Sequence, residues 1–215
     1  MRKEPLATGE YYHIYNRGVD KRDIFSTARD LARFKESVKE FNRLDGIGSL
    51  RDRNPEPKGL EIEPIVAIVA LTLNPNHFHF ILKQLVDGGI AKYMQKLLGG
   101  YTKYFNEKND RSGSLFQGTF KSKLIDDENY FRKIFPYTNS NYKVHDIPNS
   151  KKHLIFSSDK EYDTEDFNFV SKEEGLRILE IFENKNDFNR HCDEIISMIR
   201  EERGIRSLDK TDDLP

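Results

Sequence analysis

The chain has 215 residues and a mass of 25.2 kDa, enough for one sizeable domain with an appendage or for two small domains. Hydrophobic residues make up 36%, charged residues 33% and mean hydropathy is −0.75, yet 15 Phe and 10 Tyr exceed the aromatic mass of a disordered chain. The longest apolar run, Ile65–Leu73, is too short for a membrane span of roughly 20 residues, no apolar leader follows the charged N-terminus, and a single Cys192 excludes an internal disulfide and a cysteine-rich zinc site. A soluble, cytoplasmic, folded protein with no membrane partner is expected. The net charge of −1 hides an asymmetry: residues 1–158 hold 26 Lys and Arg against 19 Asp and Glu, and residues 159–215 hold 9 against 17. A basic body with an acidic end suits a polyanionic partner, although both can equally be solvated surfaces.

In chain order, Tyr11–Arg17 reads as a short strand ending at Gly18. Thr27–Leu44 carries Leu31, Phe34, Val38 and Phe41 at helical spacing. Asp45–Gly59 is Gly-, Pro- and charge-rich and is expected to be a long loop. Pro64–Leu73 is continuously apolar and β-branched, as a strand covered on both faces would be. After the turn signal Asn74-Pro75-Asn76 comes a second strand, His77–Leu85, and Gly89–Asn106 then shows a helical stripe through Tyr93, Leu97 and Tyr101. Ser114–Ile125 is expected to be a strand, and Asp126-Asp127 to cap a helix running to about Lys143, with Pro136 kinking it or restarting it. The resulting order is a ferredoxin-like βαββαβ pattern: an α+β fold with an antiparallel sheet, helices on one face, and an extra helix bearing Tyr137. Residues 1–158 form the expected main domain, with Phe156-Ser157-Ser158 as a docking stub. Residues 159–215 form an appendage: an acidic linker over Asp159–Asn168, then two helices (171–184 and 187–203), the first opened by a Ser171–Glu174 capping box.

The chemistry concentrates at His77-Phe78-His79. Residues i and i+2 of a strand share a face, with Cα atoms roughly 6.5–7 Å apart, so both imidazoles can reach one divalent ion while Phe78 points into the core. Two His at a turn can also do no more than hydrogen-bond, and a site needs a third ligand. The helix expected over 126–143 offers Tyr137 and Asn141, four apart and so on one helical face. Metal held by His77, His79 and the Asn141 carboxamide oxygen would leave open positions for phosphate oxygens, and the Tyr137 oxygen could attack phosphorus. Such mixed nitrogen and oxygen ligands suit Mg²⁺ or Mn²⁺. The alternatives are a packed helix aromatic at Tyr137, and a small-molecule metallohydrolase, which would need a carboxylate beside the His pair.

The segments YYHIYNRGVDKRDIF (11–25), LNPNHFHFIL (73–82), YTKYFNEKNDRSGSLFQGTFKS (101–122) and YTNSNYKVHDIPNSKKHLIFSS (137–158) resemble, in order, the motif blocks of REP-associated tyrosine transposases. These belong to the insertion-sequence-200-like, single-tyrosine branch of the HUH single-strand endonucleases. The resemblance implies metal binding by His77, His79 and Asn141, nucleophilic attack by Tyr137, and a single-stranded or hairpin DNA substrate. It also places Asn16, Arg17, Lys21 and Arg22 near bound DNA. The sequence departs from the family at Asn139, where His is frequent, at Thr119, where Arg is usual, and at Tyr142, where Pro commonly follows the Asn. A non-cleaving nucleic-acid binder of the same fold is the alternative that these departures leave open.

Residues 91–125 add Lys92, Lys96, Lys103, Lys108, Arg111, Lys121 and Lys123 against Glu107 and Asp110, interleaved with Tyr93, Tyr101, Tyr104, Phe116 and Phe120. Cations tracking phosphates beside aromatics that stack on bases would make a single-strand groove, whereas a core stripe with a solvated lysine face is the plainer reading. His13, His145, His153 and His191 lack partner spacing and are expected at the surface or behind the ligands, and Cys192 in inert core. The C-terminal helices could cover the site, bind hairpin DNA or form a homodimer, their acidity weighing against DNA.

Overall fold

The computed structural model describes residues 6–45, 50 and 62–208. Strand β1 (Tyr11–Arg17) leads through a 3-10 turn to helix α1 (Ala28–Glu40); β2 (Val66–Asn74) and β3 (His77–Gln84) form a hairpin; α2 (Gly89–Lys108) and β4 (Lys121–Leu124) follow. Helix α3 (Glu128–Asn139), β5 (Phe156–Ser157), α4 (Asp159–Thr164), α5 (Lys172–Leu179) and α6 (Lys185–Leu208) complete the chain. The sheet order is β4-β1-β3-β2-β5, antiparallel throughout. The first four strands with α1 and α2 are the βαββαβ arrangement expected from the sequence. No helix among the described residues is long and apolar enough to cross a membrane.

Both faces of the sheet are covered, which is why all nine residues of β2 are buried. On one face Phe78, Phe80 and Leu82 of β3 pack with Phe34 and Val38 of α1 and with Tyr93, Leu97 and Tyr101 of α2. On the other, Val69, Ala70 and Ile81 pack with Phe135 of α3, Tyr162 of α4, Ile178 of α5 and Phe188 of α6. Residues beyond 158 thus share a hydrophobic core with the sheet.

Four expectations need correction. The strand expected over 114–125 pairs only at Lys121–Leu124, because Gly113 and Gly118, at φ of 86° and 67°, turn the preceding segment out of the ladder; it touches β1 again through the Gly18–Phe116 bridge. The helix expected to reach Lys143 ends at Asn139; Ser140 leaves helical geometry (φ −128°, ψ 30°), and Asn141–Val144 form a 3-10 turn. The acidic linker is in part a helix, α4, anchored by fully buried Tyr162, whose hydroxyl donates to the Val69 carbonyl at 2.6 Å. Ser171 makes no side-chain cap: Glu174 turns to the sheet instead, accepting from Tyr11 at 2.7 Å and Lys83 at 2.6 Å. A reciprocal capping box does occur at α1, between Thr27 and Asp30. The loop expected at 45–59 lies outside the described residues except for Asp45 and Leu50.

Candidate active site

Alternation along β3 sends Phe78 into the first core and turns His77 and His79 toward α3. Strand register sets Arg17 of β1 and Asn74 of β2 opposite His77, and Tyr15 and Thr72 opposite His79. The turn after β2 is tied to the loop after β1. The Pro75 carbonyl accepts from the amides of Ile24 and Phe25 at 2.7 and 3.0 Å, and the Asn76 carbonyl from Gly18 at 2.8 Å. Gly18 is needed there because a Cβ would meet the Arg22 carbonyl oxygen at 2.2 Å.

Helix α3 brings Tyr137. Asp127 caps its start, accepting from the Tyr130 amide at 2.9 Å. Pro136 lies inside the helix yet does not end it. Proline lacks the N–H that would bond the Arg132 carbonyl one turn back, and His191 Nε2 of α6 stands 2.9 Å from that oxygen and donates to it. The last turn is bolted to the sheet: Thr72 Oγ1 donates to the carbonyls of Thr138 (2.7 Å) and Asn139 (3.2 Å), Ser157 Oγ to the Asn139 carbonyl, and Ser158 Oγ to Asn139 Oδ1 (2.6 Å). The Tyr137 ring, 8% exposed, therefore sits edge-on to His79 with centroids 5.2 Å apart.

Tyr137 and Asn141 do not share a helical face, as their spacing suggested. Asn141 reaches the site because the chain breaks at Ser140. Its Oδ1 lies 3.0 Å from His77 Nε2, and fully buried Asn74 donates through Nδ2 to both atoms, at 2.7 and 2.9 Å. Asn76 Oδ1 accepts from His77 Nδ1 at 2.6 Å, so the Nε2 lone pair is the one facing Asn141. Two ligands at right angles around an ion with bonds of roughly 2.1 Å lie roughly 3 Å apart, which matches the separation of Nε2 and Oδ1. Asn74 Oδ1 and Asn141 Nδ2 are buried without partners. Turning both amides over leaves one oxygen and one nitrogen unpaired again, so the site has polar capacity to spare in either orientation.

The imidazoles are held neutral, as ligation requires. Burial lowers His77 to about 4, opposed by the Asn141 oxygen, which would accept from the protonated ring, and helped by the charges of Arg203 and Arg17. Burial likewise brings His13 and His145 to about 3, and pushes His79 well down, helped by His13 and His77 beside it. His13 Nε2 lies 2.9 Å from His79 Nδ1, which leaves His79 Nε2 as the nitrogen not taken by that contact. Neutral nitrogens and a carboxamide oxygen are donor types that could hold a divalent ion. Among the described residues no three His, Cys, Asp or Glu side chains group to hold a metal, so no carboxylate completes the His pair.

No family model matches the chain, and no curated protein matches it. Among solved structures it is similar to one described as "Structure of the REP associates tyrosine transposase bound to a REP hairpin", with a TM-score of 0.51 over 80% of this chain and 89% of that one, at 14% identity. The likeness is one of fold.

The basic residues singled out in the sequence separate into groups. Arg17, Lys121 and Lys123 lie on the Tyr137 face; Arg17 Nε donates to Gln117 at 2.6 Å, and Lys121 and Lys123 stand over the rings of Tyr15 and Tyr130 at 5.8 and 4.1 Å. Lys21 and Arg22 are exposed on the loop after β1, Arg22 donating to the Val19 carbonyl at 3.1 Å. Asn16 is buried and ties that region to the Gly118 carbonyl at 3.2 Å. Arg111 braces the loop after α2 through Asn106 and the Ser114 carbonyl. Lys92, Lys96 and Lys103 belong to α2, across the sheet from Tyr137. Lys96 donates to the carbonyls of Arg43, Leu44 and Asp45. Tyr93, Tyr101 and Phe116 are core residues and not stacking platforms: the hydroxyls of Tyr93 and Tyr101 donate to the carbonyls of Val38 and Ile24.

Of the two places the sequence left open for His13 and His145, the structure selects the one behind the ligands, against His79 and His77; sequence reasoning missed the roles of Thr72, Asn74, Tyr15 and Arg203. Strand parity would have found Tyr15, which shares a face of β1 with His13. Arg203 Nη2 donates to the Tyr137 hydroxyl at 3.1 Å.

Proposed function

We propose that the chain is a metal-dependent, single-stranded DNA transesterase, a transposase-like enzyme that nicks and rejoins hairpin-type DNA through a 5′-phosphotyrosine. One observation carries the reading: the Tyr137 ring is locked edge-on against buried His79, on the sheet face where His77 Nε2 and Asn141 Oδ1 stand 3.0 Å apart. When bound, a divalent ion such as Mg²⁺ or Mn²⁺, held by His77, His79 and Asn141, would polarise and align the scissile phosphate. The Tyr137 oxygen forms a bond to phosphorus as the phosphorus–O3′ bond breaks. The phenol proton passes to solvent water, and the departing 3′ oxygen takes one from water. The phosphotyrosine retains the ester's bond energy, so the 3′ hydroxyl can later reseal the strand by the reverse step. Arg17, Lys121 and Lys123 neutralise backbone phosphates, and the half-buried rings of Tyr15 and Tyr130 on the same face are placed to stack on unpaired bases. The fold shared with a hairpin-binding transposase supports a DNA partner.

The test is a set of 3′-labelled hairpin oligonucleotides incubated with the full chain in Mn²⁺ or in EDTA. The wild type should form a covalent labelled adduct in Mn²⁺ alone. Tyr137→Phe should form none, and His77→Ala should lose cleavage while largely keeping DNA binding, since phosphate contacts supply most of the affinity. An adduct surviving Tyr137→Phe would move the nucleophile elsewhere, and binding without any adduct would make the protein a non-cleaving binder.

A further inference from the structure

Helix α6 places Arg203 over the nucleophile. Its Nη2 donates to the Tyr137 oxygen at 3.1 Å, and its guanidinium carbon stands 5.6 Å from the ring centroid. The other terminal nitrogen lies 3.4 and 3.5 Å from the ring nitrogens of His145, whose ring packs edge-on against His77 at 4.7 Å. Neighbouring charges on α6 have partners, Arg200 with Asp146 at 3.9 Å and Glu202 with Lys133 at 3.7 Å. Arg203 is half-buried, and no carboxylate among the described residues pairs with it. A partly desolvated guanidinium without a counter-ion is under-compensated, and its planar fork matches phosphate oxygens.

We propose that Arg203 is a further catalytic residue of the reaction assigned above to Tyr137: a clamp for the scissile phosphate. The inference rests on that reading of the site. In the free protein the guanidinium, which can only donate, holds the phenol oxygen. As that oxygen bonds to phosphorus, the non-bridging phosphate oxygens arrive within reach of the same donors. Arg203 then balances the negative charge that builds up as the phosphorus–O3′ bond breaks. No proton or electron is exchanged with Arg203, and its role is electrostatic.

The experiment uses a 3′-fluorescein-labelled pool of single-stranded oligonucleotides, a fixed hairpin with randomised flanks, and the full chain in Mn²⁺. Arg203→Ala should slow adduct formation about 100-fold, the scale for removing one preorganised donor to developing charge. Arg203→Lys should recover part of the rate, because it restores charge without the fork. Binding of the pool is measured separately in Tyr137→Phe protein, where no adduct interferes. There, adding Arg203→Ala should make the slope of log affinity against log salt shallower by about 0.7, the value for one lost single-strand phosphate contact. Unfolding midpoints of all variants are compared, so that loss of fold is not read as loss of chemistry. An unchanged adduct rate with an unchanged salt slope overturns the proposal, and so does a faster Arg203→Ala, which would make Arg203 a restraint on the phenol. A wild type that binds the pool but forms no adduct fails the cleavage reading alone, and the salt slope still decides whether Arg203 meets phosphate.

Discussion

Pro136 and His191 allow a direct test of how the Tyr137 helix is held. In His191→Phe, the Arg132 carbonyl, already deprived of its helical donor by Pro136, loses the Nε2 donor that stands 2.9 Å away. An acceptor left without a partner costs about 1–3 kcal/mol when buried, an upper range for this half-buried carbonyl. For a chain of this size, each kcal/mol lowers the unfolding midpoint by about 2–4 °C, so a fall of roughly 2–12 °C is expected. Pro136→Ala returns an N–H to the position one turn beyond Arg132, where it can donate to the same carbonyl. The His191→Phe change should therefore cost little in a Pro136→Ala background, leaving a coupling energy of about 1–2 kcal/mol in the double-mutant cycle. Urea unfolding of the four proteins reads it. Additive effects, with no coupling beyond about 0.3–0.5 kcal/mol, would refute the claim that His191 replaces the missing proline donor.

Thr72→Val keeps the side chain's shape but removes the hydroxyl that donates to Thr138 and Asn139. It should cost about 1–2 kcal/mol in urea and slow adduct formation, since Tyr137 and Asn141 depend on that bolt; full rate and stability together would refute it. The depressed imidazoles make stability depend on pH. His13, His77 and His145 take up protons near pH 6.5 when unfolded but only at about 3 to 4 when folded, so their stabilisation is complete above about pH 6.5 and lost as pH falls toward 4. Each contributes a slope of up to ~1.4 kcal/mol per pH unit. Urea midpoints measured without metal should fall from pH 7 to pH 5, less steeply in His145→Asn, and a flat profile would contradict neutral burial. Truncation after Ser158 uncovers Val69, Ala70, Ile81 and Phe135 on the second face. At about 1.5–3 kcal/mol for each large apolar side chain returned to water, the loss rivals the whole stability of a typical domain. The fragment should lose near-UV circular dichroism and bind ANS, whereas a cooperative unfolding transition like that of the full chain would show that it folds alone.

How much was legible follows from the range of each signal. β1 is bounded at Tyr11–Arg17 as read from the sequence, and β2 lies within a residue or two of its apolar run, because hydrophobic patterning is local and strong. The 114–125 strand failed because the apolar Leu115 and Phe116 are buried in the first core without pairing as a ladder, beside glycines at positive φ. The helix end at Asn139 failed because the bonds that stop it, from Thr72, Ser157 and Ser158, come from residues far away in sequence. At the candidate site, the shared face of His77 and His79 was readable from strand parity; Tyr137 and Asn141, singled out by spacing and by the resemblance, come to that face through the break at Ser140 and not along one helix. Asn74 was read only as part of a turn, and nothing in its spacing shows that one amide would bridge His77 and Asn141. The lysines of α2 misled because a helical lysine face looks the same whether it meets DNA or water.

The C-terminal segment shows why net charge is a poor guide to a site. Its excess of acids argued against contact with DNA, but a phosphate within a few ångströms responds to the nearest charges, since beyond roughly 8 Å salt screens exposed ones. The carboxylate of Glu202 is directed to Lys133, and that of half-buried Asp187 to Arg190. Among the described residues, the cation that donates to the phenol is Arg203. Arg203 stands at hydrogen-bond distance from the Tyr137 oxygen while those acids are directed to other cations, so an acidic segment can hold a cation over Tyr137 without contradiction.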